Sequence, residues 1–449
     1  MKQKYTPSCF LVPPFLILLL FACAAPVSHY VMVERNLLEG NYYKADSIVE
    51  QYKEKYGERN AVLYYMDRGM TLHLSGSYEK SNYYLSEAEK RIEALYTKSI
   101  TTESGAMFTN DNLLPYEGED FEKVMINLVM ALNYVYLGKL DDALVEARKI
   151  DHKLNLYNDK YEKKNVYKED AFARYLSGIL YEYKGELNDG FIAYSKAYGA
   201  FKDYGINYGT PVPAFLGEDL LRLSKALGLH DEHKKYREKF PNVKWIDIKE
   251  MQSNGELIFI YYSGRAPFKE DFFIDAPVPD ISGDPYYLRI AFPRFVAQPS
   301  QVAYARIYTV KGNLPARTDL VEDITAIAKK NLDDRIGRIR AKAIGRAVVK
   351  FTTAQTAKKA AAKKYGKDAG IIVGGLLNIA SVVTEAADKR SWRTLPDKIQ
   401  MARIVLPPGN YNIEVHYIGA GGEIIEKRTF AGISINSREK KILTHRVIK

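Results

Sequence analysis

Apolar residues in the first half of the chain recur at helical spacing, and glycines interrupt them at intervals. After each glycine comes an aromatic residue or a leucine two positions later, and a small residue three positions after that. Clear copies begin at Gly40, Gly76, Gly138 and Gly185, and a weaker copy begins at Gly228. Glycine ends a helix readily, and a small residue lets the next helix approach closely. The pattern therefore predicts an array of helical hairpins over residues 23–245.

The hydrophobic period changes to alternation after residue 245. Several segments rich in β-branched and aromatic residues are separated by short turns, which is the pattern of β-strands. They cover residues 256–262, 286–292, 301–310, 400–407, 411–418, 423–430 and 440–448. Short strands of this kind are typical of a β-sandwich. We assign the sandwich to residues 246–317 and 396–449.

A helical segment, residues 318–395, is inserted between the third and fourth of these strands. Thr318 is a candidate helix N-cap, because acidic residues follow it at positions suited to a first turn. Basic residues three and four positions apart then form a stripe along one helix face: Arg335, Arg338, Lys342, Arg346 and Lys350. The apolar run 370–383 that follows is too short to cross a bilayer as a straight helix. It is either packed inside the protein or placed at a membrane surface.

The N-terminus has two lysines, an apolar stretch and then the residues Leu20-Phe21-Ala22-Cys23, which is the layout of a secretory signal. It resembles a bacterial lipobox, in which residues 1–22 are removed and the thiol of Cys23 carries a lipid. An ordinary secretory signal, cut at an Ala-x-Ala-like site, is the alternative. The resemblance to lipoproteins of Gram-negative bacteria, with Ala24 after the cysteine, implies the outer membrane and a body that faces the periplasm.

The cysteine count favours lipidation. The chain has two cysteines, and Cys9 would leave with the signal segment, so Cys23 would be the sole thiol of the mature chain. An unpaired thiol in a secreted protein needs an explanation, and acylation supplies one. Burial of the acyl chains contributes about 0.8 kcal/mol per CH₂, so the first partner that we expect is a membrane, held through this lipid.

Positive charge is concentrated in the second half. Residues 241–449 contain 34 Lys and Arg against 21 Asp and Glu, and the whole chain has a formal net charge of +10. Most of the excess lies in residues 329–367. A basic region in a cytosolic protein would indicate nucleic acid. Outside the inner membrane the available polyanions are lipid head groups, lipopolysaccharide and cell-wall polymers. An anionic lipid or a cell-wall polymer is therefore the candidate ligand of the basic stripe, and we expect no nucleic acid. The alternative is a stripe that is only solvated, on a helix packed against the sandwich.

The interval between the second and third copies of the glycine pattern, residues 96–125, is longer than a hairpin turn needs. Loops of this length inside a helical array are usually functional or disordered. The aromatic and acidic composition favours an ordered loop that shapes the edge of the array's binding groove. The candidate binding residues are Asn110, Asp111, Tyr116 and Glu117. A loop that only fills space in the array is the alternative.

Two family resemblances follow from these features. The glycine pattern is similar to that of tetratricopeptide repeats, whose period is about 34 residues. Three stretches resemble a little-characterised family of bacterial lipoproteins with such N-terminal halves: NLLPYEGEDFEKVMIN (112–127), GRAPFKE (264–270) and RSWRTLPDKIQMARI (390–404). That family has no established activity, and some members are encoded near activators of cell-wall synthases. The resemblance implies a multidomain α and β protein: a tetratricopeptide-like α-solenoid, then a β-sandwich-like domain with a helical insertion.

The sequence contains no motif for a metal site, a phosphate-binding loop or a nucleophilic serine. We therefore expect no cofactor and no enzymatic activity. The predicted function is that of a membrane-anchored interaction scaffold or accessory in cell-envelope assembly, with an unidentified protein partner. One alternative is a membrane-contacting or secretion accessory that uses the basic insertion. Another is a cell-wall hydrolase built on the loop carboxylates Asp111, Glu117, Glu119 and Asp120, because paired carboxylates cleave glycosidic bonds.

We predict that Cys23 is the acylated N-terminal residue of the mature protein. The lipobox-like residues before it and the loss of Cys9 with the signal segment are the reasons. Intact mass of the protein isolated from membranes should show an acylated cysteine at the N-terminus. An unmodified chain that starts at Cys23 or Ala24 would rule lipidation out.

Overall fold

The computed structural model describes residues 27–106, 112, 114–160, 167, 169–279, 285–309, 315–366, 368 and 387–449. The signal segment, Cys23, Asn110, Asp111 and the apolar run 370–383 lie outside these residues. Within the described ranges, no helix is both long enough and apolar enough to cross a membrane.

The first part of the described chain is helical. In chain order its helices are α1 (Val27–Leu38), α2 (Tyr42–Gln51), α3 (Lys53–Tyr56), α4 (Ala61–Leu74), α5 (Tyr78–Ala106), α6 (Asp120–Tyr136), α7 (Leu140–Lys160), α8 (Ala171–Lys184), α9 (Leu187–Tyr208), α10 (Ala214–Ala226), α11 (His230–Lys239) and α12 (Ile248–Ser253). The pairs α1/α2, α4/α5, α6/α7, α8/α9 and α10/α11 form successive antiparallel hairpins. We call the first member of each pair a first helix and the other a second helix.

Each hairpin turns at the glycine of the repeated pattern. These five glycines have φ values between +69° and +82°, in the left-handed region. In the second hairpin the N–H of Gly76 donates to the carbonyl of His73 at 3.1 Å, and the N–H of Ser77 donates to that of Leu72 at 2.9 Å. Such paired hydrogen bonds close a helix C-terminus. The prediction that the glycines end the first helices is confirmed.

The small residues in the hairpins allow close contact between helices. A Cβ atom built on Gly178 of α8 would lie 2.3 Å from the ring of Tyr194 in α9. Tyr194 cannot move away easily, because its ring is fully buried and its hydroxyl donates to Glu182 Oε2 at 2.8 Å. Gly69 of α4 has the same relation to Leu85 of α5.

The second part contains strands and one long helix. The strands are β1 (Gly255–Ser263), β2 (Arg265–Pro279), β3 (Pro285–Gln298), β4 (Val302–Thr309), β5 (Ala316–Arg317), β6 (Asp319–Asp323), β7 (Lys398–Leu406), β8 (Gly409–Gly419), β9 (Ile424–Ile435) and β10 (Lys440–Val447). One described sheet has the order β10-β1-β7-β6, and another has the order β5-β4-β8-β9. Strands β2 and β3 pair with each other as a long hairpin, and helix α13 (Ile324–Tyr365) follows β6.

The two larger sheets pack face to face as a sandwich. Phe259 and Tyr261 of β1 meet Val415 and Tyr417 of β8 in the core between them. The alternate residues of β1 point to the other side of the sheet and join the core of the helical array. Strand β1 is therefore buried on both faces.

The long helix begins at Ile324 and not near Thr318. Asp319–Asp323 forms strand β6, which pairs with β7, so the acidic residues that suggested a first helical turn belong to a sheet. The helix is capped by Asp323, whose Oδ1 accepts from the N–H of Ala326 at 2.8 Å. Thr318 instead donates its hydroxyl to Gln400 Oε1 at 2.6 Å. Pairing with a neighbouring strand, which the local sequence does not reveal, decides this boundary.

Changing Gly178 to alanine is expected to destabilise the protein, because the new methyl group would collide with the fixed ring of Tyr194. Overpacking of this kind lowers the free energy of unfolding by about 1–3 kcal/mol. Gly199 of α9 is the matched control, since a Cβ there meets nothing within 4 Å. Gly199→Ala should leave stability unchanged or raise it by up to about 1 kcal/mol. Midpoints of urea denaturation measure both effects, and equal midpoints for the two variants would contradict the packing argument.

Candidate functional site

The side of the array formed by the first helices, which we call the inner face, is in contact with the rest of the chain. Repeat arrays commonly bind extended partners on their concave surface. Here each first helix of the described array contacts the sandwich or the segment that leads into β7. The contacting residues are Glu34, Asp67, Glu122, Tyr175 and Asp219. The expectation that a groove on this side is open to a partner is therefore wrong, because the chain's own β part covers it.

A buried network of charged side chains joins the array to the sandwich. Its members are Glu182, Asp219, Arg222, Glu256, Arg403 and Lys440, and the side chain of each is at most 6% exposed. Arg403 of β7 binds both Asp219 of α10 and Glu256 of β1. The Nζ of Lys440 lies 2.6 Å from Glu256 Oε2 and 3.1 Å from Glu182 Oε2. Acidic and basic members balance, which is what allows ionised groups to stay inside a protein.

The pKa values in this network follow from its pairing. Burial would raise the pKa of Glu256, but the positive charges of Arg403 and Lys440 outweigh burial and lower it to about 2. Glu182 likewise has its pKa held well below the ordinary range, because Arg222 and Lys440 overcome the effect of burial. Both carboxylates therefore stay ionised at neutral pH. The network acts as a structural connection between the two parts of the chain.

A segment without regular secondary structure, residues 387–397, lies along the first three hairpins, and we call it the strap. Trp392 is fully buried there, and its backbone N–H donates to Glu122 Oε1 at 2.7 Å. The hydroxyl of Thr394 donates to Asp67 Oδ1 at 2.9 Å. The strap includes the RSWRTLPD stretch of the family resemblance, so that stretch has a structural role here. Trp392 is one of only two tryptophans in the chain, and this rare large residue was the sequence signal that the segment is packed against the protein.

The long loop after α5 packs against the strap. Tyr116, a candidate binding residue, is buried, and its hydroxyl donates to Glu122 Oε2 at 2.7 Å. Glu117 is half-buried. Asn112 donates to the carbonyl of Ala387 at 3.1 Å. These contacts correct the prediction for Tyr116, because an enclosed side chain does not meet an outside partner.

Of the carboxylates considered for hydrolysis, Glu119 and Asp120 are enclosed and Glu117 is half-buried. Glu119 binds Lys269 of β2 and Arg335 of α13. Burial would raise the pKa of Glu119, but these two cations hold it well below its usual range. Asp120 is 1% exposed and lies 3.6 Å from the Nζ of Lys123. Within the described residues, no group of three or more His, Cys, Asp and Glu side chains could hold a metal ion.

Glu122 is a second buried carboxyl beside Glu119, but its pKa is shifted upward whereas that of Glu119 is shifted downward. Burial and the negative charge of Glu119 raise the pKa of Glu122 to about 7, although Trp392 and Tyr116 donate hydrogen bonds to it. Its protonation therefore changes near neutral pH. Because it contacts the strap and the loop, its charge affects how these segments are held on the inner face.

The opposite side of the array carries a row of exposed apolar residues. Tyr83, Val145 and Ile192 are 62%, 46% and 44% exposed. Each is the seventh residue after the glycine of its hairpin, so the three occupy equivalent places on successive second helices. We call them the outer row. Beside Tyr83 lies a cavity of about 300 Å³ lined by Tyr134 and Leu137 and by six polar or charged residues: Glu79, Asn82, Ser86, Glu87, Lys90 and Lys139.

Strands β2 and β3 together with α13 form a further unit, which we call the arm. Its base is held by the Glu119 contacts and by burial of Ile324, Ile327 and Leu332 in the main core. Farther along, Ala343 and Ala347 pack on Ile290 and Phe292 of β3. The hairpin and the helix therefore support each other.

The residues of the predicted basic stripe differ in how deeply they are buried and in what they contact. Arg335 binds Glu119, and Arg346 is only 8% exposed. Lys342 is half-buried and Arg338 is exposed, whereas the side chain of Lys350 lies outside the described set. The prediction of one continuous anion-contacting stripe is corrected, since the stripe faces partly inward against the array and β3.

Comparison with solved structures finds similarity to repeat proteins. BtubC from P. vanneervenii is 15% identical over 48% of this chain and 78% of its own, with a TM-score of 0.33. A kinesin light chain from Podosopora anserina with nearly identical TPR-like repeats is 10% identical over 48% of this chain and 93% of its own, with a TM-score of 0.31. MamA of AMB-1 is 13% identical over 48% of this chain and 89% of its own, with a TM-score of 0.28. No protein-family model and no curated protein matches the chain.

The hairpins that turn at the repeated glycines define the described chain as a helical-repeat protein, in which the array is combined with a β-sandwich and the arm. Sequence reasoning found the glycine turns and most of the strands. It missed strand β2, the strap and the outer row, and it assigned Tyr116 and Arg335 to external binding although both make internal contacts.

Replacing Glu122 by glutamine is expected to reduce the loss of stability between pH 5 and neutral pH. The folded pKa of about 7 lies above the ordinary value of 4.5. A carboxyl with a raised folded pKa stabilises the fold fully below its unfolded pKa, and this contribution is lost as the pH rises through the folded pKa. The slope from this one group is at most about 1.4 kcal/mol per pH unit.

Midpoints of urea denaturation across this pH range measure the effect. The wild-type midpoint should fall more steeply with pH than that of Glu122→Gln. Glu93→Gln, at an exposed position on α5, is the control and should follow the wild type. Parallel profiles for Glu122→Gln and the wild type would show that Glu122 does not titrate in this window.

Proposed function

We propose that this chain is a non-enzymatic interaction scaffold of the bacterial cell envelope, anchored to the outer membrane through Cys23 and facing the periplasm. The observation that supports a scaffold most directly is the outer row, whose apolar side chains stay exposed at one repeat position while the inner face is covered. The network around Arg403 and the strap with Trp392 occupy the surface on which repeat arrays commonly bind a partner. A partner of the array therefore binds elsewhere, and the outer row is the surface that fits this role.

The repeat geometry gives the outer row its value as a binding surface. Single exposed apolar side chains are ordinary on protein surfaces. Tyr83, Val145 and Ile192 differ because they recur at one repeat position, and stacked repeats place equivalent positions in a line. The cavity beside Tyr83 combines the apolar side chains of Tyr134 and Leu137 with a polar and charged rim. An amphipathic anchor side chain, such as tyrosine or arginine, fits this lining, and anchors of these types supply most of the energy of protein interfaces. We infer that an envelope protein binds along this line.

The envelope location in this proposal rests on the sequence. The lipobox-like residues before Cys23 support anchoring, and α1 begins at Val27. Four residues span at most roughly 14 Å, so a lipid on Cys23 would hold the array close to the membrane surface. A scaffold held in this way meets its partners beside the membrane.

The hydrolase alternative has less support than the scaffold. Glu119 and Asp120 are engaged by cations inside the protein, so they are not arranged around an open cleft. The membrane-contacting alternative has a specific observation in its favour, namely the exposed side chains of the arm. No cofactor is part of either proposal.

Photocrosslinking in intact cells tests the scaffold. A photoreactive phenylalanine derivative placed at Tyr83, Val145 or Ile192 should give an adduct of the same mass from all three positions, because one partner lies along the row. Lys202, exposed on the same helix as Ile192, is the control position and should give no such adduct. Adducts from Lys202 at equal yield, or none from the row, would contradict the assignment of the outer row.

A further inference from the structure

The outer half of α13 has an unusual charge composition. From Arg335 to Tyr365 the helix contains ten Lys and Arg and no Asp or Glu. The whole helix has 42 residues, so it is roughly 63 Å long, and only its first turns are enclosed by the main core. Like charges along a helix repel each other. A negatively charged surface beside the arm would relieve this repulsion at the exposed residues, which include Arg340, Lys358, Lys359 and Lys363.

The paired hairpin exposes large apolar side chains next to this charge. Phe272, Phe273 and Ile274 of β2 are 40%, 45% and 36% exposed. Their partners on β3 are buried, because α13 packs on β3 and leaves β2 less covered. Successive residues of a strand point to opposite faces. Phe272 and Ile274 therefore lie beside α13, on the face of the hairpin that carries this helix, and Phe273 lies on the opposite face.

Arginine side chains accompany the exposed rings. The guanidinium carbon of Arg289 lies 4.5 Å from the ring centroid of Phe273, and that of Arg294 lies 5.3 Å from the ring of Phe272. A long basic side chain beside an apolar ring can keep its charge at the head groups while the ring enters the acyl region. Aromatic and basic residues in this combination are typical of membrane-interface binding.

The two-sided exposure distinguishes between possible partners. A protein docked on the hairpin covers one face and leaves the other in water. A nucleic acid would match the charge, but it gives no reason for exposed isoleucine and phenylalanine side chains. A bilayer surface that takes in the β2 edge of the hairpin contacts the exposed side chains on both faces of that edge and also supplies negative charge. We infer that the arm binds the surface of an anionic phospholipid bilayer, with Phe272, Phe273 and Ile274 entering the interface.

This contact is separate from the lipid on Cys23 and from the outer row. It would give the scaffold a second attachment to a membrane, at the end of the arm. Because the test below uses protein without the N-terminal cysteine, its result does not depend on acylation. Crosslinking at the outer row tests the scaffold, so either proposal can fail without the other.

The protein for the test is residues 24–449, which contain every described contact. Cosedimentation is measured with vesicles of phosphatidylcholine alone and with vesicles of equimolar phosphatidylcholine and phosphatidylglycerol. We expect binding to the anionic vesicles only, and weaker binding at high salt because surface charges are screened beyond about 10 Å. Phe272→Thr, Phe273→Thr and Ile274→Thr together should weaken binding about tenfold or more, because apolar burial is lost. Threonine keeps the strand preference at these positions.

A second variant tests the charge: Arg340→Gln, Lys358→Gln, Lys359→Gln and Lys363→Gln, all at exposed positions of α13. It should weaken binding to anionic vesicles by about tenfold or more, since each basic residue near the surface adds to the attraction. The matched controls lie on the array and are exposed: Ile206→Thr, and the set Lys196→Gln, Lys202→Gln, Lys234→Gln and Arg237→Gln. Both controls should bind as the unaltered protein does.

The inference would be overturned if the unaltered protein did not bind vesicles, or if it bound neutral and anionic vesicles equally well. The inference would also be overturned if the charge variant lost binding while the Phe272/Phe273/Ile274 variant kept it in full. That result would indicate a soluble polyanion or an acidic protein as the partner. Phe273→Trp provides an independent measurement, because brominated lipids should quench the new indole if this position enters the bilayer. Failure of anionic brominated vesicles to quench it would contradict insertion.

Discussion

Strand β1 has no face that can meet water, and the arrangement of the whole chain depends on this. All nine of its residues are buried, between β10 on one side and β7 on the other. Phe259 and Tyr261 fill the core of the sandwich, while Ile258 and Ile260 point to the opposite side. That opposite side needs an apolar cover, and the first helices of the array provide it. The array and the sandwich are therefore held together by a shared core.

Polar groups enclosed by this core have to find partners inside it. Asp219 and Glu256 both bind Arg403, while Lys440 neutralises Glu256 from the other side. A buried ion pair adds little net stability compared with apolar packing, but removal of one partner leaves an uncompensated charge and costs about 3–5 kcal/mol. The network therefore discourages other placements of the sandwich on the array. The strap follows the same rule, since Glu122 and Asp67 accept hydrogen bonds from Trp392 and Thr394.

The arm differs from the rest of the molecule in how much of its charged and apolar side-chain surface is exposed to solvent. At its base, Glu119 pairs with Lys269 and Arg335, so the arm is joined firmly to the array. Beyond that point the described helix has basic residues without acidic ones, and β2 keeps phenylalanine rings in contact with water. The exposed basic residues of this part of the helix, such as Lys358 and Lys359, and the exposed rings of β2 lie where contacts outside the chain can form. The scaffold and membrane-surface proposals both follow from this contrast between covered and uncovered faces.

The sequence by itself determined the local elements, because turns and periodicity depend on near neighbours. Gly76 and the equivalent glycines end the first helices through local backbone geometry, whatever packs against those helices later. The alternation of apolar and polar residues identified strands such as β1 and β8. Contacts between distant residues were decided only by the tertiary structure. Asp319 to Asp323 has the composition of a helix start, yet pairing with β7 makes it a strand. The side of the array that stays open was likewise fixed by the double burial of β1, a property that no local pattern of the helices contains.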